Sequence, residues 1–229
     1  AAFLHARRGH QANGDEEGML VTDLYLAGVA VIRGRLGQAY TAYADALEVA
    51  RSLRDEYREA VALSGLGLAA ARSGDYDNAS LLIQQSIRLF EALGRAADVQ
   101  TTQSLLAATL LSAERYEEAL ALAARAPRVS ANMTLVQAFA LSRLGRHSDA
   151  LELIEGARPE THYEREMSRV IRASILLNAG QPAAAQAEAE SALRASENEY
   201  IRLLCLTVLS GASLALERPA EALRLTQHA

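Results

Sequence analysis

The sequence predicts an all-α protein built from about six successive helical hairpins. Three observations predict it. Half of the 229 residues are hydrophobic but only 5% are aromatic, alanine and leucine abound, and prolines number four, a composition that suits helices packed closely through small side chains. Glycines and polar residues interrupt the helix-forming runs at intervals along the whole chain. Small residues then recur at fixed, helix-compatible offsets from those interruptions.

The unit is clearest in "SGLGLAAARSGDYDNA", residues 64 to 79. Gly65 and Gly67 stand inside a run of helix formers, where each costs about 1 kcal/mol relative to alanine, so a close approach by a neighbouring element must compensate. Ser73-Gly74-Asp75 reads as a helix stop followed by the N-cap of a second helix. The register repeats. Gly34, Gly74, Glu114, Gly145, Gly180 and Glu217 take the turn position, and Leu36, Tyr76, Tyr116, His147, Pro182 and Pro219 follow two residues later. Three residues after those come Ala39, Ala79, Ala119, Ala150, Ala185 and Ala222. Seven further on lie Ala46, Ser86, Ala126, Ala157, Ala192 and Ala229, with Tyr43, Ile83, Ala123, Ile154, Ala189 and Thr226 between. Seven residues before the turn stand Ala27, Gly67, Ala107, Ala138, Ala173 and Ser210. These small side chains mark where the two helices of a hairpin meet, which predicts Gly67 against the segment around Ala79.

Taken in order, residues 1–13 are expected to be the second helix of an earlier, truncated repeat. Carrying the 40-residue step back from Tyr43, Ala46 and Asp55 lands on Phe3, Ala6 and Asp15. Repeats then follow over about 20–54, 60–93, 100–130, 131–165, 166–200 and 203–229, giving a single solenoid over 1–229. The turn position advances by 40 residues twice and then by 31, 35 and 37. The chain starts at Ala1 in place of methionine and stops within the last helical pattern at Ala229, which leads to the expectation that it is cut from a longer array.

Charge and motif content exclude several functions. All 23 basic residues are arginine and the net charge is −5, which leaves no global attraction to nucleic acid or anionic lipid. Arg51, Arg54 and Arg58 alternate with Glu48, Asp55, Glu56 and Glu59, as on a solvated helix face. The absence of lysine points to a GC-rich bacterial genome and rules out a lysine-bearing phosphate loop. Cys205 sits alone in the apolar run "YIRLLCLTVLSGA" and reads as a core thiol. No apolar stretch reaches the ~18 residues of a membrane span. Histidines 5, 10, 147, 162 and 228 form no metal-ligand spacing, and no GxSxG nucleophile motif occurs. The chain is therefore expected to be no enzyme and to carry no cofactor or metal.

The order of small residue, turn glycine, aromatic, alanine, large apolar residue and alanine, best kept in "LGLAAARSGDYDNASLLIQQS", closely resembles the tetratricopeptide repeat (TPR). Repeats 5 and 6 depart from it with Pro182 and Pro219 in place of the aromatic, and repeat 6 lacks the glycine. Segments such as "ALEVARSLRDEYREAVALSGLG" resemble the long-helix variety of large bacterial signalling and transcription regulators and of kinesin light chains. The resemblance implies a right-handed α-α superhelix whose first helices line a concave surface. On it the inward positions would be Val21, Leu24, Gly28, Val31 and Ile32 in repeat 1, and Val61, Ser64, Leu68, Ala71 and Arg72 in repeat 2. Repeat 4 would give Asn132, Leu135, Phe139, Ser142 and Arg143, and repeat 5 Met167, Val170, Ser174, Leu177 and Asn178.

Family members that clamp a C-terminal carboxylate use lysine, arginine and asparagine, and those positions here hold Leu24, Gly28, Ser64 and Gly65. The clamp is absent. The expected partner-binding groove is Leu68, Arg72, Asn132, Leu135, Phe139, Arg143, Val170 and Asn178, an apolar lining with polar points that suits an amphipathic helix, a peptide or a flanking domain of the same chain. Self-association is the alternative. The implied function is a protein- or peptide-binding scaffold, foremost the sensor region of a multidomain bacterial regulator, with an assembly scaffold of a secretion, pilus or polysaccharide-export system as runner-up. The expected location is the cytoplasm, with the periplasm left open.

Overall fold

Helix-forming runs of one length, ended by one kind of turn, generate the architecture. The computed structural model describes residues 2–125, 131–159 and 161–227; Ala126 and Ala229 of the predicted pattern, and His228, lie outside the described residues. Among the described residues there are thirteen α-helices and no strand: α1 (Ala2–Ala12), α2 (Glu16–Ile32), α3 (Leu36–Ser52), α4 (Glu56–Arg72), α5 (Tyr76–Ala92), α6 (Ala96–Ser112), α7 (Tyr116–Ala124), α8 (Ala131–Arg143), α9 (His147–Gly156), α10 (His162–Asn178), α11 (Pro182–Ala195), α12 (Glu199–Ala215) and α13 (Pro219–Gln227). They form two compact units, Ala1–Glu114 and Arg115–Ala229.

In the first unit α2 to α6 are each 17 residues long. Every junction is the same. Gly14, Gly34, Arg54, Gly74 and Gly94 adopt φ of +65°, +70°, +56°, +85° and +66°. The next amide, of Asp15, Arg35, Asp55, Asp75 or Arg95, donates to the carbonyl five residues back at 2.9–3.0 Å, which closes the helix end as a Schellman turn. Asp15 and Asp55 then accept the amides of Gly18 and Arg58, each at 2.9 Å, capping α2 and α4. Asp75 stands at the N-cap of α5 as predicted but makes no side-chain cap bond; its carboxylate accepts from Asn78 at 3.2 Å.

The two interior glycines of α4 answer to two different neighbours. A β-carbon on Gly67 would collide with Ile83 and lie 3.2 Å from the Ala79 carbonyl oxygen, the predicted close approach. A β-carbon on Gly65 would run into the ring of Tyr43 on α3. Tyr43 joins Ala27, Val31, Ala39, Leu47, Leu63 and Leu66 in the core, and the Ser86 hydroxyl ties α5 to α4 by donating to the Ala60 carbonyl at 2.7 Å. α1 lies on α2 through a stacked Phe3–Tyr25 pair, 5.3 Å between centroids, and an Arg7–Asp23 ion pair at 2.5 Å.

In the second unit the turns within hairpins keep the left-handed residue, at Gly145 (+79°), Gly180 (+72°) and Glu217 (+59°). The two junctions between hairpins that lie among the described residues, α9 to α10 and α11 to α12, do not. α9 stops at Gly156 and Ala157 is extended, with φ −66° and ψ 141°, so Ala157 is no longer the helical position that the repeat pattern gives it. α10 is restarted by a capping box of Thr161 and Glu164. α11 leaves through extended Ser196, and Asn198 caps α12 by accepting from the amides of Tyr200 and Ile201 at 3.0 and 3.2 Å. Pro182 opens α11 at the first helical position, where its missing amide costs nothing. Thr226, which the pattern sets between Ala222 and Ala229 along the last helix, is exposed on α13.

Candidate functional site

Packing decides which helices face inward in each unit. In the first unit α2 packs on α4 and α4 on α6, while α3 and α5 make no close backbone contact; in the second, α8 packs on α10 and α10 on α12, while α9 and α11 do not. First helices thus stack on one another and second helices splay. Within each unit the surface bends toward the first helices, which puts their free faces on the inner side.

On the inner face of the first unit, Val61, Ser64 and Leu68 are half-buried and Arg72 is exposed at the end of α4. Leu68 rests on the core of the α2–α5 layer. The Ser64 hydroxyl is taken by the Val61 carbonyl at 2.9 Å. Tyr43 reaches in from α3, its hydroxyl 3.3 Å from where a Gly28 β-carbon would stand, and burial pushes its phenol pKa up.

On the inner face of the second unit, Asn132, Arg143 and Asn178 are exposed and Phe139 is half-buried against a core of Ala138, Leu141, Ile154 and Ile171. Arg143 is held in place: its Nε donates to the Tyr116 hydroxyl at 3.0 Å, and its guanidinium lies 5.4 Å from the Tyr116 ring centre. Asn178 Nδ2 donates to Ser142 Oγ at 3.1 Å, a link between α10 and α8. The structure corrects four expected inward positions: Val31 and Ser142 are buried, at 3% and 2% exposed, and so are two members of the expected groove. Leu135 is 6% exposed and Val170 3%; the first packs among Ala138, Ile154 and Ile171, the second among Ala192, Ile201 and Cys205. Their side chains hold hairpins together and offer a partner no surface.

Sequence reasoning did not foresee Tyr116 as the support of Arg143, because the turn aromatic and the arginine are 27 residues apart across a shortened hairpin. It also ranked Ile32 with the lining and gave it no special place, although Ile32 is 84% exposed. The second unit holds one further unusual group, Glu166 of α10. Its buried Oε1 accepts no hydrogen bond and lies 3.5 Å from His162 Nε2. Cys205 on α12 is fully buried, and its thiol pKa is pushed up by that burial. No group of three or more His, Cys, Asp or Glu among the described residues could hold a metal. No described helix is long and apolar enough to cross a membrane.

The tetratricopeptide repeat family model matches residues 18–92. In fold the chain is similar to the apo form of the quorum sensor NprR from B. thuringiensis, with a TM-score of 0.61 at 12% identity over 99% of this chain and 73% of that one. It is likewise similar to BtubC (BKLC) from P. vanneervenii, with a TM-score of 0.51 at 17% identity over 99% of this chain and 84% of that one. No curated protein matches the sequence. The family match thus covers residues 18–92, and over the rest of the chain the likeness to these solved structures and the consecutive hairpins of both units show the same kind of helical-hairpin fold.

Proposed function

We propose that the chain is a protein- or peptide-binding scaffold and serves as the interaction region of a multidomain bacterial regulator. The observation that carries this reading is the pair of inner faces, each presenting polar side chains held out from an apolar floor. In the first unit these are Arg72 above Leu68; in the second they are Asn132, Arg143 and Asn178 around Phe139. A side chain such as Arg143, braced on Tyr116, has already lost much of its rotamer freedom, so less is lost when a ligand engages it. The fold likeness to a quorum sensor favours signalling over an assembly role.

The second unit's face should be anchored by Phe139 and oriented by Arg143, since aromatics in a desolvated centre dominate interfaces while rim charges tune rate and salt response. A partner captured with the chain is to be titrated against Phe139→Ala, Arg143→Ala and Glu118→Ala. Glu118 lies on a second helix and pairs with Arg115 at 2.6 Å. Phe139→Ala is expected to cost about 2 kcal/mol and Glu118→Ala nothing measurable. Loss of binding only in Glu118→Ala would move the working surface to the second helices.

A further inference from the structure

The inner face of the first unit changes character along one stripe. Glu17, Val21, Tyr25, Gly28 and Ile32 follow one another on a single side of α2 at helical spacing. Of these, Tyr25 is 59% exposed and Ile32 84%, the most exposed large apolar side chain among the described residues. Ile32 ends α2, and Arg72 holds the equivalent position on α4, which packs against α2. Arg33 follows Ile32 directly as the cap residue of α2.

Neither arginine has an ion-pair partner among the described residues, and the same holds for Arg8, Arg35, Arg54 and Arg88 of this unit, whereas Arg7, Arg51, Arg58 and Arg95 each pair with a carboxylate. Scarcity of acid does not explain this, because residues 1–114 contain more carboxylates than arginines. The nearby Asp75 accepts from Asn78. At the opposite end of the stripe, about 22 Å away along a 1.5 Å rise per residue, Glu17 is 72% exposed and only loosely paired with Arg58 at 3.8 Å.

Resting on the reading of this face as a binding surface, we infer that it selects an acidic, apolar-anchored polypeptide segment, whose large apolar side chain covers Ile32 and whose carboxylates meet Arg33 and Arg72. The charge complement fixes the occupant. A basic segment would be repelled at the end where the exposed isoleucine sits, and a neutral one would leave two cations unpaired beside the apolar contact. The sign change toward Glu17 also sets direction, with the acidic end of the segment at Arg72 and any basic residue at Glu17.

The test begins with a phage-displayed library of random dodecapeptides panned on the full chain. Enriched peptides are synthesised with a fluorescent label and titrated against the full chain and against Ile32→Ser, Arg72→Glu and Phe139→Ala. All three positions are exposed or half-buried, and circular dichroism melts check that each variant is folded. The enriched peptides are expected to be net acidic with a large apolar residue. Ile32→Ser should weaken them about tenfold, Arg72→Glu at least as much, and added salt should weaken the unmodified complex. Neutral or basic peptides, no enrichment at all, or affinity indifferent to both Ile32 and Arg72 overturns the inference. If binding instead falls only with Phe139→Ala, the inner-face reading stands and this inference fails; if no inner-face substitution matters, both fail.

Discussion

In the first unit, helices hand over to one another through the same turn whether the junction lies inside a hairpin or between hairpins. In the second, the two kinds of junction differ. Left-handed residues fall at 14, 34, 54, 74, 94 and 114, one every 20 positions, so the first unit's register is written in backbone conformation and a fixed helix length. Beyond Glu114, among the described residues, only the turns inside hairpins keep that conformation, at Gly145, Gly180 and Glu217. The junctions from α9 to α10 and from α11 to α12 instead end in extended residues and rely on the side chains of Thr161, Glu164 and Asn198 to start the next helix. A uniform turn makes a uniform spacing; side-chain caps free the spacing to vary, and the repeat steps of 35 and 37 that contain them follow.

The comparison breaks most readily at the small-residue contacts. Ala79 is fully buried where Gly67 comes close, and Ala185 is fully buried in the second unit beside Ala173 and Val208. Ala79→Leu should destabilise by about 1–3 kcal/mol, because added methylenes have no void to enter. Ala185→Leu should cost a similar amount. Hydrogen exchange read helix by helix separates them: each substitution should speed exchange in its own unit first, since a repeat is supported mainly by its neighbours. Unchanged melts for both would mean that the hairpin register is wrong.

A smaller effect sharpens the contrast between backbone and side-chain junctions. Thr161→Ala and Asn198→Ala should each cost about 1 kcal/mol, the usual loss when a capping side chain is removed. Asp75→Ala, which removes no cap bond, should cost less. Thermal melts of the three single variants check the ranking, and an Asp75 loss equal to that of Asn198 would contradict it.

The hairpin pattern was legible because each contact it needs is local in sequence: a small residue, a turn and an alanine within one hairpin. Gly67 against Ala79 is such a contact. Gly65 was noticed for the same helix cost, but its neighbour is Tyr43 on the preceding hairpin, which no spacing inside one repeat reveals. The left-handed turn at Arg54 was hidden because arginine carries no signature of that conformation. The site was less legible still. Inner-face positions were counted from the turn, and counting cannot separate Arg143, exposed on Tyr116, from Leu135, sunk in the core.

Arg54, Glu114 and Glu217 adopt φ of +56°, +58° and +59°, which costs a non-glycine residue about 1 kcal/mol or slightly more. Arg54→Gly and Glu217→Gly should therefore stabilise, by somewhat under 1 kcal/mol once the greater freedom of glycine in the unfolded chain is deducted. Differential scanning calorimetry would show raised transitions. A lowered transition for either would mean that its side chain contributes more than its backbone strain removes.

The least effect expected is a difference in how the two units respond to acid. α2 starts from the carboxylate of Asp15, whereas α12 starts from Asn198, which does not titrate in the acid range. The Gly18 amide, and after it His10, hold Asp15 below its usual pKa. A carboxylate whose pKa is lower in the folded state contributes stability above its unfolded value of about 3.9 and loses it as pH falls through the folded value. As pH falls through the lowered pKa of Asp15 the start of α2 should therefore fray while the start of α12 holds. Amide chemical shifts of Gly18 and Ile201 followed down the acid range report this directly: Gly18 should move with the titration of Asp15, and Ile201 should not. Asp15→Asn should abolish the Gly18 response while keeping the cap, because asparagine is as good an N-cap and carries no proton to gain. If Gly18 titrates unchanged in that variant, His10 or a neighbouring carboxylate governs the start of α2, and its cap is no more acid-sensitive than that of α12.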